Sequence, residues 1–207
     1  MKIEKLHQLF LKFNVVSTDT RSISNGALFF ALKGDNFNGN DFAKKALDSG
    51  ASYCIIDEQQ SQSNARFILV PDVLITLQEL ANFHRKYLNI PIIAITGSNG
   101  KTTTKELINS VLGQRYKTHA TQGNYNNHIG VPLTLLQMDT SVDIGIVEMG
   151  ANHIGEIAKL CQISAPNYGY ITNFGKAHLE GFGSAEGVVK GKCCLLYTSD
   201  AADDMAS

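Results

Sequence analysis

The stretch IPIIAITGSNGKTTTKELINSVLGQ, residues 90–114, limits the fold more than any other part of the chain. Its apolar run from Ile90 to Ile95 reads as a strand buried on both faces, and Leu107, Ile108, Val111 and Leu112 fall on one face of a following helix. Between them lies a loop carrying Gly97, Ser98, Asn99, Gly100, Lys101, Thr102 and Thr103. A loop that wraps phosphate needs glycines, because its N–H groups must converge on the anion without Cβ interference, and a lysine to neutralise charge. The strict G-x-x-x-x-G-K-[ST] pattern is not met, since Ile95 stands where its first glycine would be. A glycine-rich helix entry is the plain structural alternative. The strand before the loop and the helix after it supply the context that phosphate binding requires, and favour that reading. The Thr102 hydroxyl is then placed to hold Mg²⁺.

Two further strands follow, DIGIVEMG (143–150) and YGYITN (168–173), with HIGEIAKLC (153–161) as a helix between them. Such alternation predicts a mostly parallel sheet with helices on its faces, and ligands collect at the carboxyl ends of strands in such sheets. Three polar clusters fall there: TGSNGKTT, EMGANH and NFGKAHLEG. A nucleotide site needs a second metal anchor, normally a carboxylate at a neighbouring strand end, and Glu148 closes its strand. Alone it would be an ordinary strand-end carboxylate; beside a phosphate loop the metal role is the better reading. His178 lies at the same predicted edge and is a candidate for a second metal, whereas His7, His84, His119, His128 and His153 read as surface or packing residues. In TQGNYNNHIGVP (121–132) the asparagines and glycines suit a turn-rich loop, or else a neutral hydrogen-bonding surface for a substrate.

Upstream, Leu6, Leu9, Phe10 and Phe13 recur at helical spacing, GALFFAL (26–32) reads as a strand and KGDNFNGND as a loop. A helix over DFAKKALDSGA (41–51), strands at YCIIDE (53–58) and ARFILV (65–70), and a helix over VLITLQELANFHRKYL (73–88) complete a small α/β unit. The 207 residues, 43% hydrophobic, suffice for one large domain or two small ones. A net charge of −1 recommends neither a nucleic acid nor an anionic membrane as partner. No apolar stretch reaches the ~18 residues of a membrane span, and MKIEKLHQLFLKF is not a signal-peptide core, so a cytoplasmic protein is expected. Cys54, Cys161, Cys193 and Cys194 form no C-x-x-C pair and read as buried or incidental thiols.

Together these pieces resemble the Mur ligases, the ATP-dependent amide-forming enzymes of peptidoglycan precursor synthesis. ITGSNGKTTTKE is similar to their short phosphate loop, VEMGANHIGEI to their metal-binding Glu segment and ITNFGKAHLEGFGS to their metal-binding His segment. GNYNNHIGVPLTLL resembles the branch that adds D-alanyl-D-alanine to UDP-N-acetylmuramoyl-tripeptide, and STDTRSISNGALFFALKGDNFNGNDF the family's UDP-binding domain. The resemblance implies an α/β chain with a small N-terminal UDP-substrate domain, followed by part of a P-loop-type, mostly parallel-sheet ATP-binding domain. Its expected divisions are 1–88 for the UDP-sugar-peptide domain, 89–192 for the first part of the ATP-binding domain, and 193–207 for an anomalous, non-native tail.

The resemblance also implies ATP and Mg²⁺ as cofactors, with UDP-N-acetylmuramoyl-tripeptide and D-alanyl-D-alanine as substrates. Lys101 would hold the β/γ-phosphates, Thr102 and Glu148 one Mg²⁺, and His178 part of a second metal site. Lys192 falls where the family often carries a carbamylated lysine, completing the catalytic set. Asp19, Thr20, Arg21, Asp35, Asn36 and Phe37 would surround the UDP-sugar, and Thr121, Gln122, Asn126 and Asn127 the approach of the muramoyl group. The chain departs from the family pattern after Lys192, at CCLLYTSDAADDMAS, which predicts an incomplete ligase, inactive alone. The oligomeric state is open, with a monomer as the default. The competing classes are a binding-only remnant and a nucleotide-switch module, although TNFGK is not the Asn-Lys-x-Asp that reads guanine. A folylpolyglutamate-type ligase would share the ATP loop without needing STDTRS.

Overall fold

The structure is a computed structural model that describes residues 1–59, 64–175 and 179–197. The chain divides into two compact units, Met1–Phe83 and the part from His84 onward. In the first, α1 (Ile3–Phe13) buries Leu6, His7 and Phe10 and ends where Asn14 turns left-handed at φ 53. There follow β1 (Val16–Ser17), β2 (Leu28–Phe30), β3 (Lys33–Gly34), β4 (Phe37–Asn38), α2 (Ala43–Asp48), β5 (Tyr53–Ile56), β6 (Phe67–Leu69) and α3 (Val73–Leu88), the division falling inside α3. Strands β1, β2, β5 and β6 make a parallel sheet in that order. Phe29, Ala31, Ala43, Ala46, Leu47, Cys54 and Ile56 form a core between the sheet and α2.

KGDNFNGND is more than a loop, for β3 and β4 pair antiparallel across Asp35 and Asn36. Two-residue strands carry too little periodicity to be seen in a sequence. The hairpin is locked to the end of β5. Buried Asn40 donates to Asp57 Oδ1 at 2.8 Å and accepts from the backbone N–H groups of Asp57 (3.1 Å) and Glu58 (3.3 Å). Lys33 bridges the Asp57 and Glu58 carboxylates at 2.9 and 2.8 Å.

The second unit continues with β7 (Ile92–Thr96), α4 (Lys101–Leu112), β8 (Thr118–Ala120), α5 (Gly130–Leu136), β9 (Ile144–Glu148), α6 (Glu156–Ser164), β10 (Tyr168–Ile171), α7 (Leu179–Phe182) and α8 (Ala185–Tyr197). Its sheet runs β10-β7-β9-β8, all parallel, as expected of strands alternating with helices. Register sets Ile95 opposite Glu148 and Thr96 opposite Ile171, so three strand exits lie side by side. Arg85 fastens the far end of the sheet: its guanidinium donates to the carbonyls of Ser164 (3.0 Å) and Ala165 (3.0 Å) and to Asn167 Oδ1 (2.7 Å). No helix among the described residues is long and apolar enough to cross a membrane.

The predicted face of α4 is corrected. Leu107 and Val111 are 63% and 69% exposed, Ile108 and Leu112 only half-buried, and the fully buried residue is Lys105. Helical periodicity predicts a stripe but not which way the helix is rolled. Here the stripe turned inward runs through Lys101, Thr104, Lys105, Ile108 and Leu112. Strand β8 and helix α5 were not predicted, the first for its shortness and the second because it starts inside the Asn-Gly segment.

Gly39 governs the hairpin's seat, since a Cβ there would lie 2.5 Å from both Ala31 C and Leu32 O. Backbone atoms cannot yield as a side chain can. Gly39→Ala is therefore expected to destabilise the unit by about 1–3 kcal/mol. Gly34→Ala, where a Cβ meets nothing within 4 Å, should stay within about 0.5 kcal/mol. Urea denaturation of both variants checks the contrast.

Candidate nucleotide and metal site

The loop between β7 and α4 has the conformation that phosphate wrapping demands. Gly97 (φ 149) and Gly100 (φ 78) occupy regions that side chains disfavour, and a Cβ at Gly100 would meet nothing within 4 Å. Helix α4 starts at Lys101, so its first-turn N–H groups have no intrahelical acceptor and face the loop's mouth. The Lys101 ammonium lies back over the loop, donating to Gly97 O at 2.8 Å.

Glu148, at the exit of β9, is 2% exposed, yet both carboxylate oxygens are engaged. Thr102 Oγ1 donates to Oε2 at 3.0 Å and Asn126 Nδ2 to Oε1 at 2.9 Å. Its backbone N–H donates to Thr121 Oγ1 at 3.0 Å. Thr96 Oγ1 donates to Met149 O at 2.9 Å and ties the two strand exits together.

The segment leaving β10 clasps the loop from the other side. Asn173 donates from Nδ2 to Asn99 O (3.0 Å) and accepts Asn99 N–H on Oδ1 (3.1 Å). Thr172 Oγ1 also donates to Asn99 O, while Ser98 Oγ donates to Gly175 O (3.1 Å) and accepts from Gly175 N (2.9 Å). A Cβ on Gly97 would overlap the Thr172 hydroxyl, so this glycine serves the close approach of the clasp as well as the loop's own geometry. Asn173 opens the polar cluster NFGKAHLEG, but its partner on the loop could not be read from the sequence, and Thr172 reads only as part of a strand. His178 lies outside the described residues.

The predicted polar surface has internal duties. Thr121 is buried on the Glu148 backbone, Asn126 is bound to the Glu148 carboxylate, and Asn127 Oδ1 accepts the N–H groups of Ile129 (3.0 Å) and Gly130 (2.9 Å) at the start of α5. Gln122 is exposed. Lys192, on α8, is 2% exposed with its ammonium 5.5 Å over the Phe182 ring; burial, and then the Lys101 charge, push its pKa below the ordinary lysine value.

A hydroxyl and a carboxylate held together beside a phosphate loop form an all-oxygen donor pair. Mg²⁺ is commonly held in this way, by one or two protein oxygens with the remaining positions left to water and phosphate. The residues fit Mg²⁺ and a nucleotide phosphate chain.

The first unit carries a separate cavity of about 620 Å³. Asp19, Thr20, Arg21 and Phe37 line it, together with Thr18, Phe42 and Lys45. Asp35 and Asn36 sit in the hairpin turn, outside the lining. The Phe37 and Phe42 rings stack at 5.1 Å, and Asp19 grips Arg21 through Nη2–Oδ2 at 2.6 Å and Nε–Oδ1 at 3.0 Å. Only helical register within α2 could have signalled Lys45, and nothing in the sequence singles it out.

A parallel sheet whose strand passes through a Gly-Lys-Thr turn into a helix defines the class of phosphate-loop α/β folds. The Mur ligase middle domain matches residues 95–203, and the Mur ligase family catalytic domain matches residues 12–91. The chain belongs to the Mur ligase family. It is 42% identical over 183 residues to the UDP-N-acetylmuramoyl-tripeptide--D-alanyl-D-alanine ligase of Bacillus subtilis, covering 87% of this chain and 40% of the relative. Against the Synechocystis ligase of that name it is 46% identical over 189 residues, covering 90% and 41%. The crystal structure of MurF from Acinetobacter baumannii superposes with a TM-score of 0.87 at 31% identity, over 96% of this chain and 46% of that one. MurF from Thermotoga maritima in complex with ADP gives 0.84 at 34% identity, over 92% and 44%. The chain thus spans about 40% of the length of the curated relatives it matches.

Hydrogen bonds from the Arg21 guanidinium, then from the Arg21 backbone N–H, and last the guanidinium charge hold the Asp19 carboxyl down at about 2, against 3.8 unperturbed. A depressed carboxyl keeps its ion pair above the unperturbed value and loses it as pH falls through the folded one. An NMR titration of Asp19 is expected to show a midpoint about 2, moving up toward 3.8 in Arg21→Ala. Coincident midpoints would contradict the pairing.

Proposed function

We propose that this chain is the substrate- and nucleotide-binding part of an ATP-dependent amide ligase of peptidoglycan precursor synthesis, one that joins D-alanyl-D-alanine to UDP-N-acetylmuramoyl-tripeptide in the cytoplasm. The observation that carries the proposal is the Thr102–Glu148 contact at 3.0 Å beside the Gly97–Thr103 loop. The relatives' shared name supports the choice of substrates. Lys101 and the α4 N-terminus would bind the β- and γ-phosphates, with Ser98, Asn99 and Thr103 at the loop's rim. Thr102 and Glu148 would hold one Mg²⁺ and His178 part of a second metal site; metal, when bound, supplies neutralisation of phosphate charge. Lys192 would add positive charge, or carry a carbamate bridging metals. The cavity around Asp19, Thr20, Arg21 and Phe37 would take the UDP-sugar, and Gln122, beside Thr121, Asn126 and Asn127, would border the muramoyl group.

In the reaction, the γ-phosphoryl group passes to the terminal carboxylate of the tripeptide, giving an acyl phosphate and ADP. The amine of D-alanyl-D-alanine then attacks the acyl carbon, loses its proton and expels inorganic phosphate. The chain's own contribution is positioning and charge compensation, the dominant effects in phosphoryl transfer.

Calorimetry tests the reading. ADP is expected to bind more tightly with Mg²⁺ than without it. Lys101→Ala should weaken binding by about 10- to 100-fold, the range for charge-assisted hydrogen bonds, and Glu148→Gln should abolish the Mg²⁺ enhancement. UDP-N-acetylmuramoyl-tripeptide should bind wild type and Lys101→Ala alike. A preference for guanine nucleotides, or binding of neither ligand, would overturn the proposal.

A further inference from the structure

Lys105 is a buried cation with no place in the nucleotide site just described. It is 1% exposed, one turn beyond Lys101 on α4, and its ammonium donates to Thr121 O at 2.6 Å and pairs with the exposed Glu106 carboxylate at 2.8 Å. A buried ammonium is costly even when paired, and an alkyl side chain would fill the same space without that cost. The Thr121 carbonyl is where its chemistry is spent.

That carbonyl is out of place in the sheet. Register pairs Ala120 with Ile146, so Thr121 stands opposite Val147. A regular parallel ladder would have the Thr121 N–H donate to Ile146 O and the Thr121 carbonyl accept from Glu148 N. The first bond forms at 2.9 Å. The second is diverted: Glu148 N–H donates to the Thr121 hydroxyl at 3.0 Å, and the carbonyl faces Lys105 instead. Strand β8 therefore leaves the sheet at Thr121, and the chain turns into the segment that carries Asn126 to the Glu148 carboxylate.

We propose that Lys105 is a positioning residue which draws the Thr121 carbonyl out of the β8–β9 ladder, so that the Thr121 hydroxyl fixes the Glu148 backbone and the carboxylate stands between Thr102 and Asn126. The inference rests on the reading of Glu148 as a metal carboxylate only for its functional consequence. The hydrogen-bond switch stands apart from it.

Two readouts separate them. In backbone amide exchange, Thr121→Val should speed exchange at Glu148 about tenfold, because its acceptor is lost while Lys105 still holds the carbonyl, and Thr121→Ser should not. Adding Lys105→Met to Thr121→Val should restore protection, since the freed carbonyl can close the ladder. In ADP calorimetry, Lys105→Met and Thr121→Val should each weaken the Mg²⁺ enhancement about tenfold, as removal of a group that orients a metal ligand does. Unchanged Glu148 exchange in Thr121→Val, or no restoration in a folded double variant, overturns the switch; if Lys105→Met does not fold, the Val and Ser variants at Thr121 decide alone. Mg²⁺ enhancement unchanged in the folded single variants overturns the positioning role. Absence of any enhancement in wild type would sink the metal reading while the exchange result still judges the switch.

Discussion

Strand register in the parallel sheet is the constraint on which the second unit depends. Because Ile95 pairs with Glu148 and Thr96 with Ile171, the loop, the carboxylate and the clasp emerge at one edge with no further folding required. A slip of one residue would turn Glu148 to the other face of the sheet. A buried carboxylate costs several kcal/mol unless its oxygens are satisfied. Thr102 and Asn126 supply that satisfaction, and the hydroxyl is donated by the first turn of α4 itself.

The loop is bound as firmly by its neighbours as by its own glycines. Ser98 and Asn99 share their hydrogen bonds with Thr172, Asn173 and Gly175, in a dense network where each bond limits the freedom of the next. Such preorganisation matters where a reaction is accelerated mainly by holding charge in place. The first unit follows the same logic on a smaller scale, with Asn40, Asp57 and Lys33 seating the hairpin that brings Phe37 to the cavity. The exposed Asp19–Arg21 pair adds little to stability. Its value lies in keeping a cavity-lining guanidinium in one orientation.

Much of this was legible in the sequence, for a definite reason. Apolar runs bounded by Gly, Asn and charged residues betray strand exits, so the loop at Gly97–Thr103 and the strand-end Glu148 could be read directly, and the α/β alternation with them. What could not be read depends on contacts distant along the chain. The roll of α4, which buries Lys105 and exposes Leu107 and Val111, is set by packing on β8 and β9. The clasp of Thr172 and Asn173 joins segments more than seventy residues apart. The family resemblance places Asn126 beside the muramoyl group, but its hydrogen bond to Glu148 was not legible, because an asparagine in a turn carries no mark of its partner.

We propose that loop, hydroxyl and carboxylate form one preassembled site for a magnesium nucleotide. A crystal structure of this chain with Mg²⁺ and ADP tests it most directly. The β-phosphate is expected on the loop's N–H groups and the Lys101 ammonium, with metal density bordered by Thr102 and Glu148 and the Asn173 clasp unbroken. Nucleotide bound elsewhere, or metal density remote from both Thr102 and Glu148, would contradict it.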